Sequence, residues 1–334
     1  TPFYRVVSSI ALEGESFEGE WRAVEGSRYF QSPVLYKENG FKKKEDAQKL
    51  ICELSTQQPL ICTVEKIERK KENKNPPLLF NLAELQNVCS KLFKISPDET
   101  LSIVQDLYEK KLVTYPRTDA RVLSTAVAKE IYKNISGLRN YPQAGEAAQG
   151  ALELGAYKNI AKTRYTNDKQ ITDHYAIIPT GQGLGALKGL SLTAQRVYET
   201  IVRRFLSIFY PPAVYQKVSL VTKMENESFF SSFKVLLSEG YLKIAANSFA
   251  KKSMAEASGK TPESEGEGEV SCDEALLAAL QKLKKGDILN INGLGIKEGE
   301  TSPPKRYNSG SMILAMENAG QLIEDEDLRS QIKG

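Results

Sequence analysis

Two hydrophobic periods divide this chain. Near the amino end the stretches FYRVVSSIAL, EWRAVEG and LICTVEKIERK are rich in Val, Ile, Thr and aromatic residues, and the last alternates apolar with polar positions, the period of a half-buried strand. One helix, roughly Lys43 to Leu54, is predicted between them. Beyond the charged, proline-ended segment KKENKNPP, Lys70 to Pro77, the period lengthens to that of a helix, which marks a domain boundary. Asn81 and Glu84 have capping-box spacing ahead of an apolar face of Leu82, Leu85, Cys89 and Leu92. SPDETLSIVQDLYEK repeats the device, with Ser96 as cap, Pro97 in the first helical position and Glu99 closing the box. A third helix is predicted after Ser124, and a long one from about Thr193 to Phe209 aligns Val197, Ile201 and Phe205 until Pro211 and Pro212 stop it.

Strand patterns return in AVYQKVSLVTKM, FFSSFKVLL, YLKIAA and, after a gap, GDILNINGLGIKEG. β-rich sequence therefore flanks the helical block on both sides. The economical fold is α+β: a discontinuous β-rich domain over 1–75 and 211–300, an inserted α-helical domain over 76–210, and the start of a further helical domain over 301–334. Within the second β segment, 251–272 is acidic, contains Gly and Ser, lacks apolar anchors and is expected to form a mobile surface loop.

Composition narrows the class. At 334 residues the chain exceeds what one compact core usually holds. The four cysteines lie far apart with no C-x-x-C pair and a single histidine in the chain, which argues against a zinc site or a disulfide framework and for a reducing compartment. No apolar run approaches the ~18 residues of a membrane span, and the amino end lacks the segments of a secretory signal, so a cytoplasmic protein is expected. A net charge of +3 is too small to argue for nucleic acid by itself. The chain begins at Thr1, has no methionine before Met224 and stops with a helical pattern barely finished; it is expected to be a piece of something longer.

The segment KKLVTYPRTDARVLS carries the candidate chemistry. Lys111 to Thr114 reads as a short strand leaving a capped helix, and Pro116 biases Tyr115 toward an extended backbone at the strand's exit. Arg117 offers a planar fork of donors suited to a phosphate, and Lys110, Lys111 and Arg121 give the segment a basic face. A tyrosine phenol with the ordinary pKa of about 10 is only about 0.1% ionised at neutral pH, a handicap of about 4 kcal/mol that neighbouring cations or a base must offset. From spacing alone the favoured reading is a surface ion pair between Arg117 and Asp119 beside a packed tyrosine.

LVTYPRTDARVLS resembles the active-site signature of type IA DNA topoisomerases, in the form with proline after the tyrosine that is similar to the bacterial topoisomerase III branch. PPLLFNLAELQ from Pro76 resembles the entry to that family's tyrosine-bearing domain, DHYAIIPTG from Asp173 its histidine motif, and GETSPPKRYNSGSMILAMENAG from Gly299 its hinge-and-helix segment. The resemblance implies that Tyr115 attacks single-stranded DNA to form a 5′-phosphotyrosine link and free a 3′-hydroxyl. It implies that Arg117 positions the scissile phosphate and that His174 handles protons and touches DNA beside the tyrosine. Asp119 would orient the arginine or its loop, Thr180 would contact the DNA backbone, and Arg306 would face DNA or belong to a proline-rich hinge. The β-rich domain would be an arch bounding a DNA-sized hole, with the helical domain swinging as a gate to pass a strand without ATP.

The family's magnesium site, an acidic cluster on an amino-terminal metal-binding domain, has no counterpart in the sequence; EDED at Glu324 to Asp327 resembles a solvated helix face. The implied partners are thus single-stranded DNA and that missing domain, with no membrane, for a monomer near the bacterial nucleoid. No metal is expected on this piece, whose own activity would be weak or absent. The competing reading is a single-stranded DNA-binding module without catalysis. Tyrosine recombinases and relaxases need more histidine and arginine than the motifs offer, and a plain scaffold would show no salt-dependent DNA affinity.

Overall fold

The computed structural model describes residues 1–250, 269–270 and 272–300. In chain order they form β1 (Pro2–Leu12), β2 (Glu15–Arg22), β3 (Leu35–Lys37), β4 (Gly40–Phe41), α1 (Lys44–Ser55) and β5 (Ile61–Lys74). There follow α2 (Leu82–Phe93), α3 (Pro97–Glu109), α4 (Thr125–Lys129), α5 (Tyr132–Gly137), α6 (Gly145–Leu154) and α7 (Leu192–Ser207), with 3-10 turns between them. The chain continues through β6 (Ala213–Met224), β7 (Glu227–Ser238), α8 (Leu242–Ala245), β8 (Glu269–Val270), α9 (Glu274–Lys282) and β9 (Ile288–Glu300). Two compact units result, a β-rich one of Thr1–Lys74, Val214–Ser238 and the described residues from 269 on, and a helical one of Asn75–Ala213 and 239–250.

In the β-rich unit the ladder runs β1–β2–β7–β6–β5–β9 and returns to β1, so the sheet closes on itself as a barrel-like ring. β1 and β2 are joined by Glu13 and Gly14, both at positive φ (49° and 81°), the two-residue hairpin geometry that matches strand twist. Alternate residues Val6, Ser8, Ile10 and Leu12 of β1 point inward. The core is anchored by Trp21, stacked on Phe41 at 5.0 Å. Its indole N–H donates to the buried Glu227 carboxylate at 2.9 Å, and that carboxylate also accepts the Arg28 amide at 2.9 Å. Both carboxyl oxygens of this buried side chain are thus hydrogen-bonded, which removes the cost of leaving them unpaired.

The helical unit is built from capped amphipathic helices. Asn81 Oδ1 accepts the Glu84 amide at 2.8 Å, Ser96 Oγ the Glu99 amide at 3.1 Å, and Ser124 Oγ the Val127 amide at 3.2 Å, as the capping residues predict. Val197, Ile201 and Phe205 of α7 are fully buried against Leu85, Val104 and Leu107. Glu199 and Arg203, one turn apart on α7, form a buried ion pair, with Arg203 also donating to the carbonyls of Ile244 (3.0 Å) and Gln143 (2.7 Å) and Glu199 accepting from the Ser248 amide and hydroxyl.

Two strand expectations need correction. YLKIAA is not a strand: Gly240 at φ 52° ends β7, and the chain turns into α8, burying Tyr241 and Ile244 three residues apart on one side. β5 runs on to Lys74, four residues past the strand pattern that ends at Lys70, because its charged end has a partner: the Lys217 ammonium lies 2.6 Å from Glu72 and holds that carboxyl below the usual carboxylate range. The acidic segment 251–268, Arg306, the EDED run and everything from 301 on lie outside the described residues. Among the described residues no helix is long and apolar enough to cross a membrane.

Candidate active site

The site grows from three irregular segments of the helical unit that single bridges knit together. Phe80 pairs with Ile177, and Val113 with Pro179, both antiparallel. The expected strand at Lys111 to Thr114 is thus confined to one bridge, flanked by the Thr114 amide on Ile178 O and the Thr180 amide on Leu112 O, each 3.0 Å. Pro116 and Pro179 lack N–H donors, so no longer ladder can form. Side chains replace the ladder. Thr114 Oγ1 donates to Ala176 O at 3.0 Å and accepts the Ile178 amide at 2.9 Å. Buried Thr118 donates to His174 O at 2.9 Å and accepts the Ala120 amide at 3.1 Å.

This knitting sets Tyr115 beside His174. Their ring centroids are 4.3 Å apart with planes tilted 38°. The Tyr108 ring, from the last turn of α3, also meets Tyr115, edge-on at 5.3 Å and 83°. Tyr115 is half-buried between half-buried Thr114 and buried Pro116, and among the described residues its hydroxyl has no hydrogen-bond partner. A phenol held by two rings with a free oxygen is placed to react, whereas a packed tyrosine normally has its hydroxyl engaged.

Arg117 is exposed, and among the described residues its guanidinium makes no hydrogen bond or ion pair. The surface pair with Asp119 is therefore absent: Asp119 is exposed, and its contribution to the loop is its carbonyl, which accepts from Asn81 Nδ2 at 3.2 Å. Thr180 directly follows the bridge residue Pro179, its hydroxyl donating to Lys111 O at 2.6 Å and accepting the Gln182 amide at 3.1 Å. Lys111 is exposed at φ 62°, while Lys110 pairs with Asp106 at 2.6 Å. Arg121 turns inward, donating to the carbonyls of Leu79 (3.1 Å) and Leu78 (3.3 Å). The geometry thus brings half-buried Tyr115 against exposed His174, leaves exposed Arg117 two residues further along the same loop, and gives Arg121 a binding duty to the fold.

Tyr108 is the member that sequence reasoning missed. Its signal was available: α3 buries Thr100, Val104 and Leu107, and Tyr108 is an aromatic off that stripe, 38% exposed. A cleft of about 700 Å³ lined by Glu146, Glu153, Arg203, Tyr210 and Lys243 holds none of these site residues. Among the described residues no three His, Cys, Asp or Glu side chains gather to hold a metal ion.

With this geometry in hand, comparison with known proteins is decisive about kinship. The family model described as DNA topoisomerase matches residues 1–321. DNA topoisomerase 3 of Bacillus licheniformis is 36% identical over 252 residues, covering 75% of this chain and 31% of its own length. DNA topoisomerase 3 of Bacillus subtilis is 32% identical over 280 residues, covering 84% and 35%. Full-length topoisomerase I from Thermotoga maritima shares the fold, with a TM-score of 0.56 at 20% identity over 99% of this chain and 46% of that one. The chain belongs to the DNA topoisomerase family, and the relatives described above place it with the bacterial topoisomerase 3 members. It spans about a third of the length of those curated relatives.

Proposed function

We propose that this chain is the strand-cleaving gate region of a topoisomerase III-like enzyme, with Tyr115 as nucleophile. The observation that carries the reading is the Tyr115 ring, in contact with the rings of His174 and Tyr108 with its hydroxyl unengaged, two residues from an unpaired Arg117. Tyr115 Oη attacks the phosphorus of a DNA phosphodiester, the bond from phosphorus to the upstream 3′ oxygen breaks, and that oxygen leaves as the 3′-hydroxyl. The downstream strand stays on the enzyme through a 5′-phosphotyrosine. The reverse attack reseals the strand, and because one ester replaces another no ATP is needed.

Arg117 answers the charge that builds on the phosphate oxygens, and as a permanent cation it does so at any working pH. The exposed His174 imidazole lies against the tyrosine ring and is placed to relay the proton from phenol to leaving oxygen. Asp119 supports the arginine's loop through its backbone, and Lys111 adds an exposed cation for strand tracking. In this reading the β-rich unit serves as the arch and the helical unit as the gate leaf. The protein acts as a monomer on single-stranded DNA in the bacterial cytoplasm, and a separate metal-binding segment supplies the magnesium used by the family.

Covalent trapping tests it. The chain is incubated with labelled single-stranded DNA and magnesium, with and without the amino-terminal segment of a DNA topoisomerase 3 relative added in trans, and then denatured. The expected result is an adduct that depends on the added segment and vanishes in Tyr115→Phe, while single-strand affinity is kept. Binding without an adduct under every condition would favour a binding module and overturn the assignment.

A further inference from the structure

Away from Tyr115 the helical unit carries a second aromatic and basic surface. Tyr132, the first residue of α5, is 48% exposed, and its ring lies 5.7 Å from that of Tyr157 at 51°. Tyr157 belongs to the 3-10 segment Ala156–Lys162, which packs on α4. The Lys158 ammonium lies over the Tyr157 ring, 6.0 Å from its centroid. Neither tyrosine hydroxyl has a hydrogen-bond partner among the described residues, so both rings are held at the surface by their edges and their neighbours.

The charge around the pair is predominantly positive. Over 125–135 and 155–165 the cations are Lys129, Lys133, Lys158, Lys162 and Arg164, all exposed, against Glu130 alone. Glu130 is paired with Lys133 at 3.1 Å. Two further acids flank these stretches: Asp168 is bound at the start of α4, accepting the Thr125 amide at 2.9 Å and its hydroxyl at 2.6 Å, and exposed Glu153 accepts from Gln149 Nε2 at 3.1 Å. Lys129, Lys158, Lys162 and Arg164 have no anionic partner among the described residues.

We infer that the Tyr132–Tyr157 pair, with Lys129, Lys158 and Lys162, is a binding platform for single-stranded DNA outside the cleavage site. This rests on the reading of the chain as a single-strand-cleaving enzyme. A nucleic acid single strand fits both parts of the surface: unstacked bases need a flat π face, and the phosphates need cations at intervals along it. A folded protein partner would demand a larger apolar patch than two half-open rings. The platform is also coupled to the His174 segment. Asn134 of α5 donates to Pro179 O at 2.9 Å, and Gly137 lies so close to Gly181 that an added Cβ would come within 2.3 Å of its carbonyl oxygen. A strand held on α5 is thereby held on the element that carries His174.

The test uses the whole chain and oligothymidylate containing 5-bromodeoxyuridine. Fluorescence anisotropy gives affinity over a salt series, and ultraviolet irradiation followed by peptide mass spectrometry gives the contact. Tyr132→Ala with Tyr157→Ala should weaken binding about tenfold, and the double phenylalanine variant should restore it, since stacking uses the ring and not the hydroxyl. Alanine at Lys129, Lys158 and Lys162 together should flatten the salt slope by about two. In the wild-type chain the crosslink should fall on Tyr132 or Tyr157, a readout independent of how the variants fold. Wild-type binding with no crosslink in 125–135 or 155–165 and no change in the variants would overturn the platform and leave the function standing. No single-strand binding by the wild type would overturn the function itself.

Discussion

Tyr115 shows how little one residue type predicts and how much its neighbours add. The chain holds fifteen tyrosines, and most of those with perturbed ionisation, such as Tyr141 and Tyr198, are pushed upward by burial and serve packing. What separates Tyr115 is a ring in contact with both His174 and Tyr108, a free hydroxyl, and an unpaired arginine two residues on in the chain, and none of the contacts can be read from spacing. The sequence spacing favoured an Arg117–Asp119 pair; the fold turns Asp119 to other duties through its backbone and leaves the arginine available. In the trapping reaction Arg117→Ala should slow adduct formation about 100- to 1,000-fold, since it removes a donor aimed at developing charge. Tyr108→Leu should slow it with DNA affinity unchanged and Tyr108→Phe should behave as wild type, because the edge contact is made by the ring. Single-turnover rates against anisotropy titrations separate the two effects.

At the scale of elements, the helices α2 and α3 were legible because cap and period agree: Asn81 and Ser96 each accept the amide three residues on, and the faces they launch are buried; α7 was legible by its period alone. The strands β1, β5, β6, β7 and β9 were legible as β-branched runs for the same reason. The short pieces were not. β3, β4, α5 and α6 carry too few residues to show a period, and α8 reads as a strand until tertiary contacts bury Tyr241 and Ile244. α9, capped by Asp273, has no counterpart among the predicted elements, since it follows an acidic run of low complexity. The segments forming the candidate site belong to this illegible class. Two predictions belong here. Asn81→Ala should cost about 1–2 kcal/mol in chemical denaturation, because it removes both the α2 cap and the bond to the Asp119 loop. Arg203→Ala should cost about 3–5 kcal/mol, because it leaves Glu199 buried without its cation.

For the whole molecule, the division into a β-rich unit and a helical unit gives two cores, each with its own buried thiol. Burial pushes Cys62 in the first up to about 11 and Cys89 in the second up to about 12. A raised thiol favours the neutral form in the fold, so its contribution is complete below about 9, where the unfolded thiol ionises, and is lost as pH climbs from there through the folded values. Denaturation midpoints should therefore fall between pH 9 and pH 11, and less so when both residues are replaced by alanine. The same burial makes the thiols reporters: with iodoacetamide, exposed Cys52 should react in the native state, and Cys62 and Cys89 only as their own units open.

The central claim is that Tyr115 becomes covalently joined to the 5′ phosphate of a DNA strand. Trapping with oligonucleotides labelled separately at each end, followed by peptide mass spectrometry of the denatured adduct, tests it most directly. The predicted result is a nucleotide on the peptide bearing Tyr115, with the 3′-end label retained and the 5′-end label released bearing a 3′-hydroxyl. Retention of the 5′-end label, or a nucleotide on any other residue, would contradict it.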